Sequence, residues 1–265
     1  MDQRSIPSPR LLVLALFLLS APLYVLGSAS TARLLPGLPL SALMFLLTAT
    51  VALWAAWRAG GRIGASALLC RVFDARRANP LTWQLVAIFV MPAVLLVEYL
   101  LMLWTRQPLP TPDVGWQRVP LLFGLFFVAA ACEELFWSAT LLEPLEERLG
   151  ALSAGLLIGT VWALWHVIPF AQANPSISWV LGQCLFTVGF RVLLVWVYDA
   201  AGRSLMAATL CHAAYNTAWQ SFPNQGSGYD PWIAAVLTWL VVAVIVTSLG
   251  TRFTSAANER FERAG

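Results

Sequence analysis

The sequence predicts an all-α, polytopic membrane protein with about eight transmembrane helices in one bundle. Three observations carry that prediction. Of the 265 residues 59% are hydrophobic and only 11% charged, with a mean hydropathy of +0.74, whereas a soluble domain carries roughly 25% charged residues. A chain this apolar lacks the polar side chains to cover a water-facing surface. Eight stretches are long and apolar enough to cross a hydrocarbon core, at residues 11–29, 39–57, 82–104, 119–142, 152–170, 179–198, 204–220 and 232–250. No run of about ten residues alternates as a barrel strand would, so helices are left to satisfy the backbone in lipid.

The segment 11–29 follows Arg4 and Arg10 and could pass for a signal peptide, but Ser28-Ala29-Ser30 is a poor cleavage context, so it is expected to be a retained first helix. Segments 39–57 and 82–104 bracket the longest polar insert, 59–80, which is rich in arginine and reads as an interfacial loop or amphipathic helix against anionic lipid. Segment 204–220 is the shortest and most polar of the eight. All 16 basic residues are arginine. If the amino terminus is inside, the inner side holds Arg4, Arg10, Arg58, Arg62, Arg71, Arg76, Arg77, Arg148, Arg203, Arg252, Arg260 and Arg263, and the outer side only Arg33, Arg106 and Arg118. Both termini are therefore expected in the cytoplasm, in a bacterial plasma membrane, and residues 1–265 read as a single membrane domain. The net charge of +3 is too small and scattered for nucleic-acid binding. Cys70, Cys132, Cys184 and Cys211 show no CxxC or metal-like spacing and read as reduced, packed residues.

An ionisable group at the bilayer centre costs about 2.5–3.5 kcal/mol for Arg or Asp on insertion scales, so such groups are functional candidates. The spans place Glu98, Glu133, Glu134, His166, Arg191 and His212 in the membrane, with Asn216 beside them, and both histidines of the chain are among them. Glu133 and Glu134 point about 100° apart on a helix, so one can face a polar cavity while the other is held by a partner. A buried carboxylate tuned toward neutral pH suits a general base that activates water. Trp162 lies one turn before His166 on the same face and can wall a pocket, and Pro169 is expected to end or bend that helix. His212 and Asn216 share a face at i, i+4 and could hold a water, a metal or a developing oxyanion. Solvated acids at a helix end and plain interhelical hydrogen bonding are the bland alternatives for these pairs.

Taken in order, three segments resemble the CAAX protease and bacteriocin-processing family of intramembrane proteases, whose pattern is Glu-Glu-x-x-x-Arg, aromatic-x-x-x-His and His-x-x-x-Asn on separate helices. Here they read Glu133-Glu134-Leu135-Phe136-Trp137-Ser138, Trp162-Ala163-Leu164-Trp165-His166 and His212-Ala213-Ala214-Tyr215-Asn216, within residues 119–220. The resemblance implies an intramembrane endopeptidase with 119–220 as its catalytic core and a peptide or membrane-protein substrate. Glu133 would activate water with help from His166, His212 and Asn216 would polarise the scissile carbonyl, and Glu134 would be a supporting acid. A divalent metal such as zinc on Glu133, His166 and His212 and a metal-free glutamate mechanism both stay open, with preference for the latter. Ser138 departs from the family's arginine; Arg191 is the candidate replacement, pairing with Glu134 or Glu98. A catalytically degenerate relative acting as a binding or immunity protein is the alternative, and a small transporter a third.

Overall fold

The computed structural model describes residues 7–74, 81–105, 107–112 and 114–250. Nine α-helices are formed among them: α1 (Pro9–Ala29), α2 (Phe45–Cys70), α3 (Thr82–Trp104), α4 (Arg118–Phe136), α5 (Glu143–Leu149), α6 (Ala151–Ala173), α7 (Ile177–Ala200), α8 (Leu205–Ser221) and α9 (Pro231–Leu249). α4 and α5 are one continuous rod, joined by a π-helical segment, Trp137–Leu142. Seven helical units are long and apolar enough to cross a membrane. The protein is an all-α, polytopic integral membrane protein.

The eighth expected stretch, 204–220, forms α8, which is not among those seven. Its 17 residues are too few and too polar for a lipid-facing span. The reason is its position. α8 packs against α3, α4 and α7, and 13 of its residues are buried, so protein rather than lipid is its solvent. Its alanines admit close neighbours, and His212 and Tyr215 find partners, Glu134 and Gln183, that lipid could not offer.

The outer helices divide their faces by turn periodicity. On α4, Leu121, Leu125 and Val128 are exposed to lipid, while Leu122, Phe126, Ala130, Glu133 and Glu134 form the buried stripe. On α9, Val236, Leu240 and Val244 face outward. Trp232 and Trp239 of α9 lie against Gly182 and Gly189 of α7: a Cβ at Gly189 would stand 3.0 Å from the Trp239 indole nitrogen. Each indole also donates a hydrogen bond to α7, Trp232 to Ser178 Oγ (3.1 Å) and Trp239 to the Leu185 carbonyl (3.0 Å). α6 closes on α7 through Gly155 and Gly159, where a Cβ at Gly159 would lie 3.0 Å from Val188 Cα and 3.1 Å from Arg191 Cβ.

Pro169 neither ends nor removes the last turn of α6, which continues to Ala173. Proline leaves the carbonyl four residues earlier without its helical donor. That carbonyl, on Trp165, accepts instead from the Tyr24 hydroxyl of α1 at 2.7 Å. Ser20 of α1 accepts from the Trp165 indole (2.9 Å), and Gln172 bonds Tyr24, Ser28 and Ser41, so a polar seam fixes α1 to α6.

The insert read as 59–80 is largely helix. α2 breaks at Gly60 and Gly61, where Gly61 takes φ +62°, then runs on to Cys70 with Ile63 and the arginine at 62 exposed. Residues 75–80 lie outside the described residues, as do Arg4, Arg106, Arg252, Arg260 and Arg263. Between α1 and α2 a small antiparallel hairpin forms, β1 (Arg33–Leu35) with β2 (Leu38–Pro39), a feature too short to register as strand alternation. The four cysteines are free.

Candidate active site

The buried stripe of α4 delivers the two adjacent carboxylates in different directions. Glu134 points into the protein and has no exposed surface. Arg191 of α7 grips it with both terminal nitrogens, Nη1 to Oε2 at 2.7 Å and Nη2 to Oε1 at 3.1 Å. Ser138, one turn on, donates its hydroxyl to Oε2, and His212 Nδ1 lies 2.8 Å from Oε1. The guanidinium is itself buried and stacks over the Trp162 ring, with Cζ 4.0 Å from the centroid. A buried acid is tolerable in a membrane protein when its charge is paired and its lone pairs are filled, and Glu134 meets both conditions. Arg191 thus pairs with Glu134 and not with Glu98. Glu98 lies elsewhere, on α3, where it accepts the Asp230 backbone N–H at 2.8 Å and pins the α8–α9 loop.

Glu133 points the other way, into a cavity of about 180 Å³. Its Oε2 accepts the Trp162 indole N–H at 2.8 Å, its one hydrogen bond among the described residues. His166, His212 and Asn216 line the same cavity. On straight helices Glu133 and His166 lie at different depths from their helix ends, yet the folded chain brings them to one space.

Trp162 organises the group. Its indole holds Glu133 and its ring covers Arg191. Its carbonyl faces His166 Nδ1 at 2.9 Å. A carbonyl only accepts, so His166 carries a proton on Nδ1 and turns Nε2 away from that bond. The same logic applies to His212, whose Nδ1 faces the Glu134 carboxylate. The Trp162 ring also meets both imidazoles in edge contacts, with its centroid 5.5 Å from His166 and 5.3 Å from His212.

The conditional metal set can be set against the donors present. Among the described residues no three His, Cys, Asp or Glu side chains converge as metal ligands. Glu133, His166 and His212 line one cavity without converging as a ligand set. The donors do not fit a resident zinc.

The π-helical turn follows directly behind the acid pair. Thr140 donates its hydroxyl to the Leu135 carbonyl five residues back (2.7 Å), the spacing of a π turn. Ser138, first met as a missing arginine, sits on this turn as a donor to Glu134. The i, i+4 spacing of Glu134 and Ser138 was the available sequence signal. The hairpin, where Leu34, Gly37, Leu38 and Pro39 contribute to the cavity lining, had none.

Residues 115–218 match the family described as Type II CAAX prenyl endopeptidase Rce1-like. Residues 115–218 form a CAAX-protease-family segment. A curated relative, CAAX prenyl protease 2 of Methanococcus maripaludis, is 28% identical over 106 residues. The match covers 37% of this chain and 39% of that protein's length. The CAAX-protease-family segment contains all three sequence motifs and both helices, α4 and α7, that build the Glu134–Arg191 pair.

Proposed function

We propose that the protein is an intramembrane endopeptidase, with residues 119–220 as its catalytic core inside a single membrane domain. The observation that carries this reading is the convergence of Glu133, His166, His212 and Asn216, from three helices, on one cavity inside a membrane protein. Peptide hydrolysis needs a base for water and donors for the tetrahedral oxyanion. Glu133 fills the first role: Trp162 fixes Oε2, and the carboxylate faces the cavity, where it takes a proton from water as the oxygen attacks the carbonyl carbon. His166 lies on the same wall with Nε2 available to that water. His212 donates from Nε2 to the carbonyl oxygen while its Nδ1 is held on the Glu134 carboxylate. The Asn216 amide, one turn further along α8, supplies the second donor. The proton gained by Glu133 then passes to the leaving amine as the C–N bond breaks.

Ser138 in place of the family's arginine was the ground for an inactive binding or immunity protein. The Arg191 guanidinium on Glu134 weakens that ground, because the charge that the motif arginine would bring is supplied from α7. The test is cleavage of a peptide library by the purified protein beside Glu133→Gln and His212→Ala, with all three matched for thermal stability. Cleavage by the wild type alone supports the enzyme. Equal turnover in Glu133→Gln would sink it.

A further inference from the structure

We infer that Gln183 of α7 is a substrate-binding residue: its side-chain amide, beside the Tyr215 hydroxyl, holds a backbone amide of the bound peptide near the bond being cut. This rests on the endopeptidase reading above for the cutting; the peptide-binding subsite itself is testable without it.

One stripe of α7 walls the cavity. Trp179, Gln183, Phe186, Thr187 and Phe190 all line it, at the i, i+4, i+7, i+8 and i+11 spacing of a single helix face. Three of the five are aromatic, and Thr187 donates its hydroxyl to the Gln183 main-chain carbonyl at 2.8 Å. Gln183 is the amide of the stripe, only 6% exposed. Its Nε2 lies 3.5 Å from the Tyr215 hydroxyl, longer than a usual hydrogen bond. Its Oε1 is buried and has no partner among the described residues. A glutamine side chain offers two donor and two acceptor positions, so most of its capacity is unspent. A buried carbonyl oxygen without a donor costs stability that an apolar side chain of the same length would not.

Tyr215 ties this amide to the chemistry. It lines the same cavity from α8, three residues after His212 and next to Asn216. Its ring is packed against Phe186 and Phe190, with centroids 4.9 and 4.7 Å apart. Residues three apart on a helix have Cβ atoms about 5–6 Å from one another, and an extended peptide advances about 3.3–3.6 Å per residue. Gln183 therefore stands within a few residues, along a bound peptide, of the carbonyl that His212 and Asn216 would polarise. A peptide N–H fits the free Oε1 and a peptide C=O fits Nε2, so the complementary ligand is a backbone amide. Every peptide carries one at each residue. Gln183 thus fixes the register of the chain and leaves the choice of side chains to the aromatic walls.

Gln183→Met keeps the length of the side chain and removes only the amide. Its melting temperature in detergent should equal or exceed that of the wild type; a clear fall would assign the amide to the fold and overturn the inference. Its KM for a peptide that the wild type cleaves should rise about tenfold, with little change in kcat. That peptide is also made with single backbone esters, each replacing one N–H by oxygen, away from the scissile bond. One ester position should raise the wild-type KM by a similar factor and cost Gln183→Met nothing further. Equal ester penalties in the two proteins, as a water held by Gln183 would give, overturn the inference. Binding is read apart from turnover by offering the peptide library to immobilised Glu133→Gln, with and without Gln183→Met, and measuring retained peptides by mass spectrometry. Retention should fall roughly fivefold or more when the amide is removed; unchanged retention, or none by either protein, overturns the inference. Retention that depends on Gln183, without cleavage by the wild type, would sink the endopeptidase reading and leave the peptide-binding subsite standing.

Discussion

Glu133 and Glu134 are neighbours in sequence with opposite assignments, and the difference lies in their partners. Glu134 has a bidentate guanidinium, a hydroxyl and an imidazole; Glu133 has one indole N–H and a cavity. Glu133→Gln should accordingly abolish cleavage while leaving the melting temperature in detergent within a few degrees. Arg191→Ala should do the opposite kind of damage. It strands a fully buried carboxylate, which costs about 3–5 kcal/mol, read as a large drop in thermal stability. Adding Ser138→Arg to Arg191→Ala moves the guanidinium to the family's position and should recover part of that loss. An unchanged melting curve for Arg191→Ala would disprove the pairing. Trp162→Phe keeps the aromatic wall and removes only the donor to Glu133. It should lower kcat by roughly tenfold or more, since a hydrogen bond to a charged group contributes about 1.5–3 kcal/mol, with a smaller change in KM.

At the scale of elements, helix contacts depend on small residues and on repairs to the backbone. A side chain at Gly159 would press α6 away from Val188 and Arg191 on α7. Gly159→Val should therefore destabilise by about 1–3 kcal/mol through overpacking and disturb the Arg191 grip as well, visible as lost activity before lost helicity. Tyr24→Phe removes the substitute donor for the carbonyl that Pro169 orphans. An unsatisfied buried acceptor costs about 1–3 kcal/mol, and thermal unfolding of this variant measures it. Much of this layer was legible in the residues. The apolar stretches gave the helices, and polar groups that lipid excludes gave the site. Pro169 was readable as a missing donor, but the remedy, Tyr24 on α1, sits 141 residues from the Trp165 carbonyl it bonds, beyond any local pattern. Likewise Arg191 could be named as a candidate cation, whereas its choice of Glu134 over Glu98 needed the packing of α6 on α7. Ser138 was read only as an absence because comparison with a motif shows what is missing more readily than what the replacement does.

For the whole molecule, the gradient of burial runs from lipid-exposed α1 and α9 to enclosed α7 and α8. The cysteines sample it. Cys70 is exposed and Cys211 has no accessible surface. In native detergent micelles a small maleimide should modify Cys70 and spare Cys211, whose labelling should begin only with global unfolding. Early labelling of Cys211 would show that the bundle centre opens on its own.

The enclosed character of α8 also bears on biogenesis. A segment this short and polar gains little by partitioning into lipid alone, and its neighbours α3, α4 and α7 all precede it in the chain. The turn that introduces it is tight, with Gly202 at φ +70° and Arg203 at φ +62°. By chain order, α8 is thus suited to a berth that earlier helices form rather than to bilayer. His212 and Asn216 thus enter last but one, after Glu133 and His166 are already in place.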